Sequence, residues 1–135
     1  MALREVRSNG TLLARVGNIF EAPDGVTFYS KPEDILQYGA CVHKAQTELK
    51  PHVHLKRARV SFHRTYEFMY VVCGRMECTL FNDVKKPVAT IMLVQGDWIA
   101  MHDGGHGFKV LSDCTRFIEV KNGQFLSTAM DKERF

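Results

Sequence analysis

The chain has 135 residues, of which 45% are hydrophobic and 24% are charged, and its formal net charge is +3. This length fits one domain with a buried core, and the apolar content excludes a disordered chain. The near balance of 18 basic and 15 acidic residues gives no reason to expect a nucleic-acid partner.

The N-terminal residues and the cysteines bear on the cellular compartment. The first ten residues, MALREVRSNG, lack the apolar run of a secretion signal, and no stretch approaches the ~18 apolar residues of a membrane span. We therefore expect a cytoplasmic protein with no membrane partner. The cysteines at 41, 73, 78 and 114 lie in apolar runs without a C-x-x-C pair, so we expect free, buried thiols outside any metal site.

Period-two alternation of apolar residues, the pattern typical of β-strands, recurs along most of the chain. In chain order it predicts strands at 26–29, 38–43, 66–73, 75–81, 88–94, 98–101, 108–111 and 116–120. Glycine, asparagine, aspartate and proline separate these segments, and Gly74 marks a hairpin. Many short strands at close spacing predict an all-β domain, built as a sandwich or a barrel.

His52 and His54 form a His-x-His pair, which is the first candidate for a metal site. Side chains at i and i+2 of an extended strand point the same way, so both imidazoles can reach one ion at about 2.0–2.1 Å. The alternative interpretation is a pair of surface histidines in a polar loop.

A carboxylate and a later histidine extend this candidate site. Glu67 shares a strand face with apolar residues such as Met69, and an inward-facing carboxylate needs a metal or a base as its partner. His106 lies in a glycine-rich corner where the backbone can approach a bound group closely. We therefore predict one metal ion bound by His52, His54, Glu67 and His106.

Two further histidines compete for places in the same cavity. His102 falls on the same strand parity as Trp98 and Ala100, and His63 stands four residues before Glu67. We predict that His63 and His102 lie beside the metal or contact the substrate, where a histidine can act as the base that moves a proton.

A basic stretch lies between the second histidine and the glutamate. It comprises Lys56, Arg57, Arg59 and Arg64. If this stretch rims the mouth of the site, its guanidinium groups can bind a carboxylate or phosphate of the ligand through two parallel hydrogen bonds. The alternative is that these residues form only a solvated face.

At these residues the chain resembles a cupin. Glu67 and Gly74 keep the spacing of the family's first motif, and Gly96 with Gly104 matches part of the second. His102 stands where the family has proline, and His106 comes one residue early.

The His-x-His pair is the larger departure from the cupin pattern. Twelve residues separate His54 from Glu67, far more than the family usually has. His63 keeps the family's spacing to Glu67, so it is the alternative to His52 or His54 as a ligand. Because the His-x-His unit is intact, we favour His52 and His54 with an inserted basic loop.

The C-terminal part of the chain resembles a narrower group of small cupin-like proteins encoded near genes for surface-polysaccharide and nucleotide-sugar synthesis. Segments 105–108, 117–123 and 131–135 carry this resemblance, which extends over about residues 45 to 135. It implies one domain over 1–135, a jelly-roll-like antiparallel cupin β-barrel. The motif-bearing barrel would cover about 45–123, with a short tail at 124–135 and a homodimer formed through the N-terminal strands.

The resemblance also implies classes of function. The cofactor would be one divalent transition metal, zinc, iron, nickel or manganese, since ligand type alone does not choose among them. The partner would be a small anionic ligand, derived from a sugar or bearing a carboxylate, with isomerase- or epimerase-type chemistry. The alternatives are a non-catalytic carbohydrate- or anion-binding protein and an iron-dependent dioxygenase, so enzymatic activity itself stays open at this point.

Overall fold

The structure, a computed structural model, describes residues 3–52, 54–55, 64–122, 127, 129 and 132–135. These residues include ten strands: β1 (Arg4–Ser8), β2 (Thr11–Asn18), β3 (Gly25–Phe28), β4 (Gly39–Val42), β5 (Glu67–Cys73), β6 (Arg75–Phe81), β7 (Pro87–Val94), β8 (Asp97–Met101), β9 (Gly105–Val110) and β10 (Arg116–Lys121). A 3-10 turn, Ile19–Glu21, follows β2. No helix among the described residues is long and apolar enough to cross a membrane.

The chain divides into two compact units. The first combines Met1–Glu21 with Thr65–Phe135, and the second is Ala22–Arg64, which contains the antiparallel hairpin of β3 and β4. The interpretation of residues 1–135 as one domain stays a prediction.

Two antiparallel sheets build the first unit. The larger has the order β1-β2-β8-β5-β10, and the smaller has the order β7-β6-β9. The prediction of an all-β, antiparallel architecture is confirmed. Among the described residues, the ladders form separate sheets and do not close into one barrel. β1 is an edge strand of the larger sheet. The homodimer through the N-terminal strands stays a prediction.

The core lies where the inner faces of the two sheets meet. The larger sheet contributes Val6, Ala14, Val16, Met69, Val71, Ile99 and Met101, and the smaller contributes Met76, Cys78, Leu80, Ile91 and Leu93. These residues recur at alternate positions because successive side chains of a strand point to opposite faces. Each large apolar side chain buried in this way stabilises the fold by about 1.5–3 kcal/mol.

The chain crosses between the sheets at glycine corners. Gly74 joins β5 to β6 and Gly104 joins β8 to β9, with φ angles of 91° and 71° that disfavour residues with a side chain. As a result, strands that are neighbours in a sheet are distant in sequence, as where β5 lies between β8 and β10.

The predicted strands agree with the observed ones to within three residues at either end, for example Glu67–Cys73 where 66–73 was expected. The predicted set omits β1 and β2, although Asn9-Gly10 between them is a two-residue hairpin signal. Both residues have positive φ, 47° and 81°, as such a turn requires.

All four cysteines are free, but the expectation that all are buried is wrong. Cys78 is buried in the core, whereas Cys41 and Cys114 are exposed and Cys73 is half-buried. Cys41 alternates on β4 with buried Ala40, so its side chain takes the opposite direction, and Cys114 lies in the turn before β10.

Candidate functional site

Glu67 and His106 lie together between the two sheets. Glu67 begins β5 and is buried on the same face as Met69, as its strand parity predicts. His106 pairs with buried Leu80 in the ladder between β9 and β6, so its ring faces the same inter-sheet layer. His106 Nε2 is 3.2 Å from Glu67 Oε2. The fold thus brings together two of the predicted metal ligands, which are 39 positions apart in the sequence (106 − 67).

Strand β10 adds two charged residues that the sequence analysis missed. Lys121 pairs with Glu67 and Glu119 pairs with Met69, so both side chains face the inter-sheet layer. Lys121 Nζ is 3.1 Å from Glu119 Oε1. In the sequence, Phe117, Glu119 and Lys121 alternate with other residues, which indicates that they share one face of a strand. This pattern does not show that β5 is the neighbouring strand.

The two carboxyl groups of this cluster hold their protons differently. Burial opposes ionisation of Glu67, yet hydrogen bonds with His106 and Glu119, together with the charges of His106 and Lys121, lower its pKa to about 2. The hydrogen bond to Glu67 raises the pKa of Glu119, burial adds to the rise, and Lys121 opposes it. The contact between the two carboxyl groups therefore makes Glu67 the stronger acid of the pair and Glu119 the weaker one.

This cluster predicts a pH dependence of stability. Because the pKa of Glu67 falls from 4.5 to about 2 on folding, its contribution is complete above 4.5 and is lost as the pH drops through 2. Urea denaturation measures the difference in unfolding free energy between the wild type and Glu67→Gln. This difference should shrink by about 2 kcal/mol as the pH is lowered from 5 to 2. The exposed control Glu33→Gln should stay parallel to the wild type. A constant difference between wild type and Glu67→Gln would contradict the prediction.

Cys78 faces the same layer but is not a ligand candidate. Burial raises the pKa of its thiol to about 12, and the charge of Glu67 adds to the effect. A thiol that stays protonated is a poor metal ligand, because the thiolate is the binding form. That all four cysteines lie outside the metal site stays a prediction.

His102 is buried just after β8. Its backbone N–H donates to the carbonyl oxygen of Leu13 at 2.7 Å, and its ring meets the ring of Tyr66 at 5.4 Å, edge to face. Glu67 pairs with Met101, so His102 has the strand parity opposite to the glutamate. The described contacts give His102 a packing role, and its role beside a metal stays a prediction.

His52 and His54 belong to the second unit, where both are exposed and neither lies in a strand. Their ring centroids are 5.1 Å apart. His52 Nδ1 is 3.2 Å from the carbonyl oxygen of Lys50, and this bond would leave Nε2 as the metal-binding nitrogen. Their position relative to Glu67 and His106 stays a prediction.

Several predicted residues fall outside the described part of the chain. They are Lys56, Arg57, Arg59 and His63. Arg64 is described and is exposed. The basic rim around the site, and the choice between His63 and the His-x-His pair, stay predictions.

Residues near the C-terminus pack on the outer side of the strand that carries His106. Phe135 meets Phe81 edge to face at 5.1 Å. A Cβ atom at Gly105 would lie 3.0 Å from the Phe135 ring, so glycine is what admits the ring there. Glu133 forms an ion pair with Lys85, whose ammonium group lies 5.5 Å from the Phe135 ring centroid. These contacts support β9 from the face opposite His106.

Within the described ranges, no three His, Cys, Asp or Glu residues are arranged so as to hold a metal ion. Glu67 and His106 nevertheless supply an ionised carboxylate and an imidazole, which is the chemistry of half the predicted donor set. The donor atoms of these two residues are of the types that bind divalent metals. The other two predicted ligands, His52 and His54, belong to the second unit.

Comparisons of the chain with protein-family models, with curated proteins and with solved structures find no match.

Proposed function

We propose that this protein is a metal-binding cupin, with the ion held by His52, His54, Glu67 and His106, that binds or converts a small sugar-derived anion. The observation that carries the proposal is the contact between buried Glu67 and His106, 3.2 Å apart inside a two-sheet β unit. A buried carboxylate needs a charged partner, and in this cluster its surroundings keep it ionised.

The proposed jelly-roll-like barrel is supported by the strand order. Two antiparallel sheets enclose one core, and the chain crosses between them after β5 and after β8. Such crossings place His106 opposite Glu67 although the two residues belong to different sheets. Closure of the sheets into a barrel is part of the proposal.

Strands β9 and β10 are edge strands of their sheets, and each carries an aromatic ring near the charged cluster. Phe108 pairs with buried Cys78 and Phe117 pairs with buried Val71, so both rings face the inter-sheet layer. They are nevertheless 37% and 42% exposed. Exposed aromatic rings beside a charged cluster suit a ligand that has both an apolar face and polar groups, as a sugar ring does.

The residues of the cluster suit proton transfer. A bound metal would supply a Lewis acid that polarises a ligand carbonyl or hydroxyl group. The hydrogen bond with Glu67 raises the pKa of Glu119 while that of Glu67 is lowered, and Lys121 forms an ion pair with Glu119. Two neighbouring carboxyl groups whose pKa values are shifted in opposite directions favour isomerase- or epimerase-type chemistry, in which one proton leaves and another is added. An iron-dependent dioxygenase is the weaker alternative, because four protein ligands would leave few open coordination positions on the metal for oxygen.

The first test is metal analysis of purified protein. Wild type should retain about one equivalent of a divalent metal, and Glu67→Ala, His106→Ala and His52→Ala should each lower its affinity at least tenfold, because each removes a ligand. His43→Ala, an exposed histidine of the second unit, is the matched control and should bind as wild type does. Stoichiometric metal in all three ligand variants would refute the site. If His63→Ala loses the metal and His52→Ala retains it, His63 is the ligand in place of His52.

The second test concerns the ligand. Calorimetry should show that nucleotide sugars and sugar acids bind more tightly than their neutral parents, and that added salt weakens this preference. Arg57→Ala combined with Arg59→Ala should weaken anion binding about tenfold and leave the metal in place. Equal affinity for neutral and anionic compounds would contradict the anionic ligand. Binding without turnover, in every member of the panel, would favour a non-catalytic binding protein over an isomerase.

A further inference from the structure

Two cysteines far apart in sequence meet at the end of the larger sheet. Cys73 ends β5, and Cys114 lies in the turn that leads into β10. The Cys73 thiol donates a hydrogen bond to the Cys114 carbonyl oxygen, with Sγ and O 3.5 Å apart. This contact brings residues 41 positions apart within reach of each other.

The backbone around this contact is held closely on both sides. Cys73 pairs with Arg116, and a Cβ atom at Gly74 would collide with Thr115, the residue after Cys114. A disulfide needs Cα atoms about 4.4–6.8 Å apart, and the contact between Cys73 Sγ and the Cys114 carbonyl oxygen brings the two residues close to each other. Cys114 has a φ of 57°, a conformation that places it in a tight turn over the end of β5.

The two sulfur atoms differ in exposure and in electrostatic surroundings. Cys114 is exposed and can meet a reagent from solution, whereas Cys73 is half-buried. Arg116 Nη1 lies 3.7 Å from Cys73 Sγ, which puts positive charge beside a sulfur that must carry negative charge when it attacks. Buried Cys78, whose pKa is raised to about 12 by burial and the charge of Glu67, has neither property.

We propose that Cys73 and Cys114 form a reversible disulfide when the protein meets a peroxide. The Cys114 thiolate attacks one oxygen of hydrogen peroxide, the O–O bond breaks, and a sulfenic acid and water result. The Cys73 thiolate then attacks the sulfenic sulfur, the S–O bond breaks, and a second water leaves. Two thiols are oxidised and one peroxide is reduced to two waters. A dithiol reductant reverses the reaction.

The disulfide would tie together the two strands that carry the charged cluster. Glu67 begins β5 and Glu119 lies in β10, so the cross-link fixes the far ends of both strands. A cross-link between distant positions restricts the unfolded chain most, and we expect the oxidised protein to melt about 5–10 °C higher than the reduced protein.

Peptide mapping under non-reducing conditions tests the proposal. Reduced wild-type protein is treated with one equivalent of hydrogen peroxide, alkylated and digested. A cross-linked peptide pair containing residues 73 and 114 is expected, and dithiothreitol should remove it. The control Cys41→Ser, which lacks the other exposed cysteine, should give the same cross-link.

Single variants identify the order of the steps. Cys73→Ser should leave a sulfenic acid at Cys114 that dimedone traps, because the second thiol is missing. Cys114→Ser should give no cross-link to residue 73. A wild-type protein that forms only intermolecular disulfides, links Cys114 to Cys41, or oxidises Cys114 to the sulfinic acid without a cross-link would overturn the proposal. The wild-type map decides the matter even if a variant fails to fold.

Discussion

Gly104→Ala is expected to destabilise the protein by about 4 kcal/mol or more, a large part of the ~5–15 kcal/mol by which folded domains are stable. The residue has a φ of 71°, where a side chain costs about 1–2 kcal/mol. A Cβ atom there would also collide with the backbone carbonyl oxygen of Phe81, which cannot rotate away as a side chain can. The strain falls at the corner that leads into β9 and His106.

The matched control for this substitution is Gly10→Ala. Gly10 has a similar φ of 81°, but a Cβ atom built there has no other atom within 4 Å. Its cost should therefore be the backbone strain alone, about 1–2 kcal/mol. Urea denaturation followed by circular dichroism measures both variants. Equal destabilisation of the two would show that the contact with Phe81 relaxes without cost and would contradict the prediction.

Asp97→Ala is expected to cost about 3 kcal/mol of unfolding free energy. The carboxylate is only 1% exposed, and it accepts hydrogen bonds from Asn18 Nδ2 at 2.7 Å and from the Val94 backbone N–H at 2.8 Å. Alanine would leave these donors without their acceptor in the turn between β7 and β8, and a bond to a charged acceptor is worth about 1.5–3 kcal/mol.

An isosteric variant separates hydrogen bonding from packing. Asp97→Asn keeps one oxygen for Asn18 but turns an amide N–H₂ group toward the Val94 N–H, so we expect a loss of about 2 kcal/mol. Asp24→Ala, at an exposed position of the second unit, should change stability by less than about 0.5 kcal/mol. If Asp97→Asn is as stable as the wild type, the carboxylate charge is not needed at this turn.

The Gly96-Asp97 segment has a structural role at the start of β8. Gly96 has a φ of 86°, and its carbonyl oxygen accepts a hydrogen bond from the Ile19 N–H at 2.9 Å. Together with the bond between Asp97 and Asn18, this fastens the start of β8 to the end of β2. The segment that resembles a cupin motif therefore stabilises the sheet, and the charged cluster lies at the opposite end of β8.

The sequence by itself determined the strands and the faces of their side chains. Alternation is a local property, since neighbouring side chains of a strand point to opposite faces whatever packs against them. It was sufficient to predict β5 to within one residue and to place Glu67 on the buried face with Met69. The Asn9-Gly10 turn was equally readable, although the predicted strands omit it.

Only the tertiary structure decided which residues meet across strands. The ladder between β5 and β10 sets Lys121 beside Glu67, and the crossing from β8 to β9 brings His106 to the same layer. No local pattern encodes these meetings, because register and sheet order follow from the packing of the whole core.

Tertiary packing also decides the exposure of the cysteines and the pKa values of Glu67 and Glu119. An apolar run indicates that a strand exists, but the exposure of Cys114 depends on the turn into β10 and on what covers it. The pKa of Glu67 is lowered and that of Glu119 is raised because the folded chain places them side by side. Electrostatic interactions of this kind act over a few ångströms in space, a distance that separation along the sequence does not reveal.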